Sequence, residues 1–235
     1  MFFIFLAILI SILAGVQGWQ AWSAHQRIRR IVDTPNTPMD QITDGPVQVT
    51  GVVSALSTVV ESPLSKVPCV WWELHVEEYI GGKSKSWKTR VREYGSGTLL
   101  LEDDSGACQV GLERVECILE PDSHIKTGTY NTADAKLTEA LAQFGFATQG
   151  WLFSKSIRCT ETYLEVGDEV FALGFADSSS GDFPLITYTA EHPLLISDLS
   201  ESALLKKTYN KRLFSAIWTV LMGIGAIVTL ILAFV

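Results

Sequence analysis

Residues 62–94 read SPLSKVPCVWWELHVEEYIGGKSKSWKTRVREY, and they decide the fold class of the chain. From Val70 to Ile80 the side chains alternate. Val70, Trp72, Leu74, Val76 and Ile80 fall on one face, and Trp71, Glu73, His75, Glu77 and Tyr79 on the other. A period of two belongs to a half-buried strand, because successive residues of an extended chain point to opposite sides. GGKSKS supplies a turn, and the return strand puts Lys88, Arg90 and Arg92 on one parity and Trp87, Thr89 and Val91 on the other. With the turn centred on Lys83 and Ser84, His75 faces Arg92 and Glu77 faces Arg90, so an acidic stripe meets a basic one. Such cross-strand pairs contribute about 0.2–1 kcal/mol each and help fix register. Trp71, Glu73, His75, Glu77, Lys88, Arg90 and Arg92 are the candidate interaction surface; the same charges also suit a plain solvated face.

Further short strands flank this ribbon. VQVTGVV (47–53) and the GDEVFALGF stretch (167–175) share one design, an alternating strand with a single glycine, Gly51 or Gly174, where a strand bends or bulges. LLLEDDSGACQV (99–110) reads as two strands joined by a DDSG turn, and strands resume at 157–166, ITYT (186–189) and HPLLIS (192–197). One internal helix is expected over 132–146. Ala133, Leu137, Ala140, Leu141 and Phe144 form its apolar stripe, Thr132 or Asp134 its cap and Gly145 its end, and it lies across a sheet opening or edge. The expected fold is mainly β with membrane helices: a small β-rich domain, OB-like and partly open, or else a small sandwich.

The two ends are different material. Residues 2–16 and 213–235 contain no ionisable side chain, and the second run is long enough to cross the hydrocarbon core of a bilayer. The first also spans when extended to Trp22, with Trp19 and Trp22 at the interface. LAGVQG would suit signal-peptide cleavage, but no basic stretch precedes the apolar run and Arg27, Arg29 and Arg30 follow it, which reads as an uncleaved anchor. The expected organisation is a first transmembrane helix over 1–22, a juxtamembrane linker over 23–46, the β-rich domain over 47–197, a juxtamembrane helix over 198–212 and a second transmembrane helix over 213–235. Arg27, Arg29 and Arg30 after one span, and Lys206, Lys207, Lys211 and Arg212 before the other, put the central domain on the cytoplasmic side.

The chemistry legible in the sequence is sparse. Cys69, Cys108, Cys117 and Cys159 form no CxxC pair, and no histidine stands at metal-ligand spacing from them, so they read as reduced, buried side chains. There is no P-loop, no GxGxxG after a strand and no HExxH. A formal charge of -8 disfavours nucleic acid. No catalytic residue, cofactor or metal ligand is expected from these residues.

Three stretches carry a resemblance: SPLSKVPCVWWELHVEEY, LLLEDDSGACQV and ETYLEVGDEVFALGFA, bracketed by two apolar spans. With Pro63, Pro68 and Cys69, Trp71 and Trp72, Glu77 and Glu78, Asp103 to Gly106, Gly167 and Asp168, and Gly174, the chain resembles the GIDE-domain family over most of residues 27–196. The likeness is to its prokaryotic two-span members, relatives of the MULAN-type mitochondrial E3 ubiquitin ligases. It implies a multi-pass protein, in a bacterial inner membrane, whose β-rich domain binds partners at the bilayer surface in membrane or envelope stress. Expected partners are membrane lipids and a protein, with a LemA-type membrane protein as the suggested one. In this family ubiquitin transfer belongs to a zinc-binding RING of closely spaced Cys and His, a pattern these residues do not contain. The expected function is therefore an interaction module without chemistry of its own, with an E3-ligase-like transferase or an anionic-lipid-binding domain as alternatives.

Overall fold

The computed structural model describes residues 2–81, 85–127, 135–148, 155–179 and 181–234. They fall into two compact units, residues 1–35 with 199–235, and residues 36–198. The helices are α1 (Phe2–Asp33), α2 (Ala135–Ala142) and α3 (Glu201–Phe234). The strands are β1 (Gly45–Val53), β2 (Val60–Glu61), β3 (Pro68–Cys69), β4 (Trp71–Ile80), β5 (Ser86–Ser96), β6 (Leu99–Glu102), β7 (Ala107–Val110), β8 (Glu116–Ile118), β9 (Ser123–Lys126), β10 (Ile157–Leu164), β11 (Glu169–Asp177), β12 (Leu185–Thr187) and β13 (Leu195–Ser197).

In the first unit α1 and α3 pack along one another, and both are long and apolar enough to cross a membrane. Phe5, Ile8, Ile12, Ile224, Ile227 and Ile231 stand exposed along them, more apolar surface than a water-facing helix pair presents. Instead of yielding to a linker at residue 23, α1 continues through AHQRIRRIVD to Asp33, because no helix breaker occurs before Pro35. At the start of α3 the cap is Ser200: the Ala203 N–H donates to its Oγ at 3.4 Å and the Leu204 N–H to its carbonyl at 2.9 Å. Asp198, two residues earlier, instead accepts the Glu120 N–H at 2.8 Å.

The second unit is built on a closed five-stranded barrel, β1–β6–β7–β12–β11 and back to β1. All neighbours run antiparallel except β7 and β12, which are parallel. This is a Greek-key ring of the OB type, closed rather than partly open. The two glycine-bearing strands are direct partners, paired from Gly45↔Ala176 to Val52↔Glu169. Gly51 has no room for a side chain, since a Cβ there would come within 2.8 Å of the Glu102 carbonyl oxygen as β1 passes to β6. Val49, Leu99, Leu101, Val110, Val170, Ala172 and Ile186 fill the interior.

The ribbon on which the sequence reading centres is not part of this barrel. Residues 54–98 leave the ring between β1 and β6, and residues 111–168 leave it between β7 and β11. Together the two excursions make a second sheet, β5–β4–β10–β9, with β4 and β5 from the first and β9 and β10 from the second. One face of this sheet packs on α2: Leu74, Val76, Val91, Ile157 and Cys159 meet Leu137, Leu141 and Phe146 in a core of their own. The helix thus covers a sheet face, not an opening or an edge. It closes at Gly145 (φ 69°), where the N–H groups of Gly145 and Phe146 donate to the carbonyls of Ala142 and Leu141 at 3.0 and 3.1 Å. Thr132, Ala133 and Asp134, like Lys83 and Ser84 of the ribbon turn, lie outside the described residues.

The DDSG turn joins β6 to β7 as expected, and its lead carboxylate is a hub. Asp103 Oδ1 accepts from the Ser105 N–H (2.8 Å), the Ser105 hydroxyl (2.6 Å) and the Gly106 N–H (2.9 Å), and Oδ2 accepts the Met39 N–H at 3.1 Å. Burial alone would raise the carboxyl, but the bonds from Ser105, Met39 and Gly106 outweigh it and hold the group below the usual aspartate range. A carboxyl depressed on folding stabilises the fold fully above its unfolded pKa, near 4, and loses that contribution as pH falls through the folded value. Asp103→Asn is therefore expected to cost about 1–2 kcal/mol at pH 7 and less with falling pH. Urea melts at pH 7 and pH 3 check this; an equal loss at both would contradict it.

A candidate docking face on the second sheet

Opposite α2, the second sheet presents a face with no element packed on it among the described residues. Its pattern follows from strand register. Across the sheet run Tyr94, Glu73 and Thr162; then Arg92, His75, Thr160 and His124; then Thr89, Glu77, Arg158 and Lys126; and at the turn end Trp87 and Tyr79. Arg92 Nε donates to Glu73 Oε1 at 2.6 Å, and Arg158 Nε donates to Glu77 Oε2. His75 Nε2 and Thr89 Oγ1 share a hydrogen bond of 3.0 Å, as do His124 Nδ1 and Thr160 Oγ1. The Arg158 guanidinium lies 4.7 Å from the centroid of the Trp87 ring, which tilts against Tyr79 at 5.4 Å. The hydrogen bond from Arg158 is the main reason the Glu77 carboxyl sits below the usual glutamate range.

The seven residues singled out from sequence divide three ways. Glu73, His75, Glu77 and Arg92 share the open face, with His75 opposite Arg92 as expected. Arg90 and Lys88 leave it. A bulge shifts the register between Val76↔Val91 and Glu77↔Thr89, so Arg90 is the extra residue, and Glu77 faces Thr89 rather than Arg90. Beyond the bulge every parity is exchanged: Arg90 turns to Glu78, on the α2 side, at 2.8 Å, and Lys88 falls opposite that same Glu78. Trp71 is only 4% exposed: at the start of β4 it packs with Val70 into the core cluster of the barrel, and the little surface it keeps lines the groove at the end of the face.

Arg158, His124, Trp87 and Tyr79 complete the face and were not singled out. The alternation of IRCTETYL marked a strand, but the partner that brings Arg158 beside Glu77 lies 81 positions away. At one end the face runs into a groove of about 550 Å³ between Trp71, Glu73, Arg92 and Tyr94 on one wall and Arg114 and Glu116 on the other. Arg114 holds a left-handed backbone (φ 54°) with its guanidinium 5.8 Å from the Tyr188 ring. Tyr94, 68% exposed, overhangs the groove. Tyr, Trp and Arg are the side chains that most often anchor protein interfaces, so a face combining them suits binding.

Of the four cysteines only Cys117 comes near this face, in the lining of the groove at its end. Cys69, Cys108 and Cys159 are buried, and desolvation pushes their thiols up to about 11, 12 and 11; burial raises Cys117 as well. Thiols so placed stay protonated at neutral pH and are poor nucleophiles or metal ligands. Among the described residues no three His, Cys, Asp or Glu side chains converge as a metal site would require.

The fold is a β-rich barrel domain flanked by two helices long and apolar enough to cross a membrane. The family model GIDE, described as an E3 ubiquitin ligase, matches residues 100–233, and the chain belongs to that family. The match runs from β6 through most of α3 and leaves the ribbon outside it. No curated protein and no solved structure matches the chain.

Proposed function

We propose that the chain is a membrane-anchored docking module whose protein partner binds across the open face of the second sheet, without bond-making chemistry of its own. The observation that carries this reading is the asymmetry of that sheet: one face packs its apolar side chains on α2, while the other sets the ion pairs of Glu73 with Arg92 and Glu77 with Arg158 beside the exposed rings of Tyr79, Trp87 and Tyr94. Basic clusters at 27–30 and 206–212 support placing the domain on the cytoplasmic side of a bacterial inner membrane. The resemblance adds a LemA-type membrane protein as the partner to try first and envelope stress as the setting.

Ubiquitin transfer, which the family's description names, needs zinc-held Cys and His or a reactive thiol, whereas the described residues bring no three such ligands together and three of the four thiols are buried. The bulge supplies a matched test pair. Arg92→Glu reverses a charge on the open face, and Arg90→Glu reverses one on the sealed side. Co-purification from native membranes at equal expression is expected to lose at least about tenfold of the partner with Arg92→Glu and little with Arg90→Glu. Equal recovery with both variants would overturn the assignment of the face.

A further inference from the structure

The charges of the chain are sharply divided between its two units. Residues 36–198 hold eleven Lys and Arg against twenty-four Asp and Glu, a net of -13, whereas residues 1–35 with 199–235 hold seven against two, a net of +5. The seven cations also lie together. The Cβ position of Gly18 is 3.8 Å from Thr219 Cγ2, which sets the alignment of the helix pair. With α1 and α3 antiparallel about that point, the deeply buried residues match in height, Ala24 and Ile31 on α1 with Ser215, Thr208 and Leu204 on α3. From that level Arg27, Arg29 and Arg30 lie about 13–18 Å along α1, and Arg212, Lys211, Lys207 and Lys206 about 10–20 Å along α3 at 1.5 Å per residue. The two clusters are thus one collar. Between it and the apolar lengths sits a belt of exposed rings, Trp19 and Trp22 at 5.1 Å and Phe214 and Trp218 at 6.0 Å, the side chains that settle at a bilayer interface. Lys206, Lys207 and Lys211 are exposed, as is Arg29, whose Nε lies 3.5 Å from Asp33 Oδ2.

We propose that this collar binds the headgroups of anionic phospholipids and makes the helix pair selective for them. The inference rests on the membrane reading above and adds to it. Charge complementarity favours this occupant, since the belt fixes the collar at headgroup depth and a cationic ring there attracts the negative leaflet. The β5 ribbon is the weaker lipid site: Arg90 and Arg92 are held by Glu78 and Glu73, in a unit whose net charge would be repelled by the same surface.

The test uses the full chain reconstituted in phosphatidylcholine vesicles, with trace spin-labelled phosphatidylglycerol or spin-labelled phosphatidylcholine. The proposal expects the anionic probe to be enriched about threefold or more over the zwitterionic one in the lipid immobilised by the protein, with the enrichment reduced in 1 M salt. Replacing Lys206, Lys207 and Lys211 by Gln should abolish most of it, replacing all three by Arg should retain it, and Lys88→Gln should leave it unchanged. Equal immobilisation of both probes, or enrichment that survives the triple Gln change, would overturn the proposal while leaving the membrane reading intact. No immobilised lipid of either kind, with the chain failing to float with the vesicles, would overturn both.

Discussion

Gly97→Ala is expected to lower the stability of the 36–198 unit by about 3 kcal/mol or more, a fall of roughly 6–12 °C in its melting temperature. Gly97 is the point at which the chain, returning from the ribbon to the barrel, crosses the loop that left it. Its N–H donates to the Val70 carbonyl at 2.8 Å, and the Thr58 N–H donates to the Thr98 carbonyl at 3.1 Å. A Cβ at residue 97 would overlap the Thr58 carbonyl oxygen. Both parties are backbone, so no rotamer change relieves the overlap, and separating the strands breaks the two hydrogen bonds. Gly111→Ala is the control: its nearest neighbours are an ordinary 3.6–3.7 Å away, and the change should move the melting temperature by about 2 °C or less. Thermal scans of the full chain in detergent check the pair, and similar melting temperatures for the two variants would contradict the crossing.

Glu161→Ala should be nearly as damaging. This side chain is fully buried, yet it carries a carboxylate whose two oxygens accept the backbone N–H groups of Leu64 (2.7 Å) and Ser65 (2.9 Å). It joins the two excursions from the barrel, since residues 64 and 65 belong to the first and Glu161 to the second. Removing it takes a charged acceptor from two N–H groups at once, at a cost of about 3–5 kcal/mol for the pair. Glu161→Gln keeps one acceptor but turns an amide N–H₂ toward the other donor, so about half the loss should remain. Denaturant melts at pH 7 rank the three proteins; a Gln variant as stable as the wild type would show that the second bond contributes nothing.

Much of this architecture was legible, for a definable reason. Alternation reports which residues of one strand share a face, and it correctly grouped Glu73, His75 and Glu77 and marked the strands around Gly51 and Gly174. It says nothing about partners, so the closure of the barrel through β1, β6, β7, β12 and β11, which leaves the ribbon in a second sheet, was out of reach. The bulge at Arg90 was hidden for the same reason: Trp87 to Arg92 alternate without a break, and only the pairing shows that the face changes within them. Trp71 misled because the start of β4 packs into the core cluster of the barrel. Glu161 gave no signal at all, since a glutamate in an alternating stretch reads as solvent-facing until the N–H groups of residues 64 and 65 are brought to it.

Site-specific photo-crosslinking in native membranes tests most directly whether a partner sits on the open face of the second sheet. A photo-reactive residue at Thr162, on the open face, is compared with one at Lys136, an exposed position on α2 behind the sealed face. A discrete adduct from position 162 that is absent at position 136 and lost with Arg92→Glu is the result expected. Adducts from position 136 alone, or the same adducts from both positions, would contradict it.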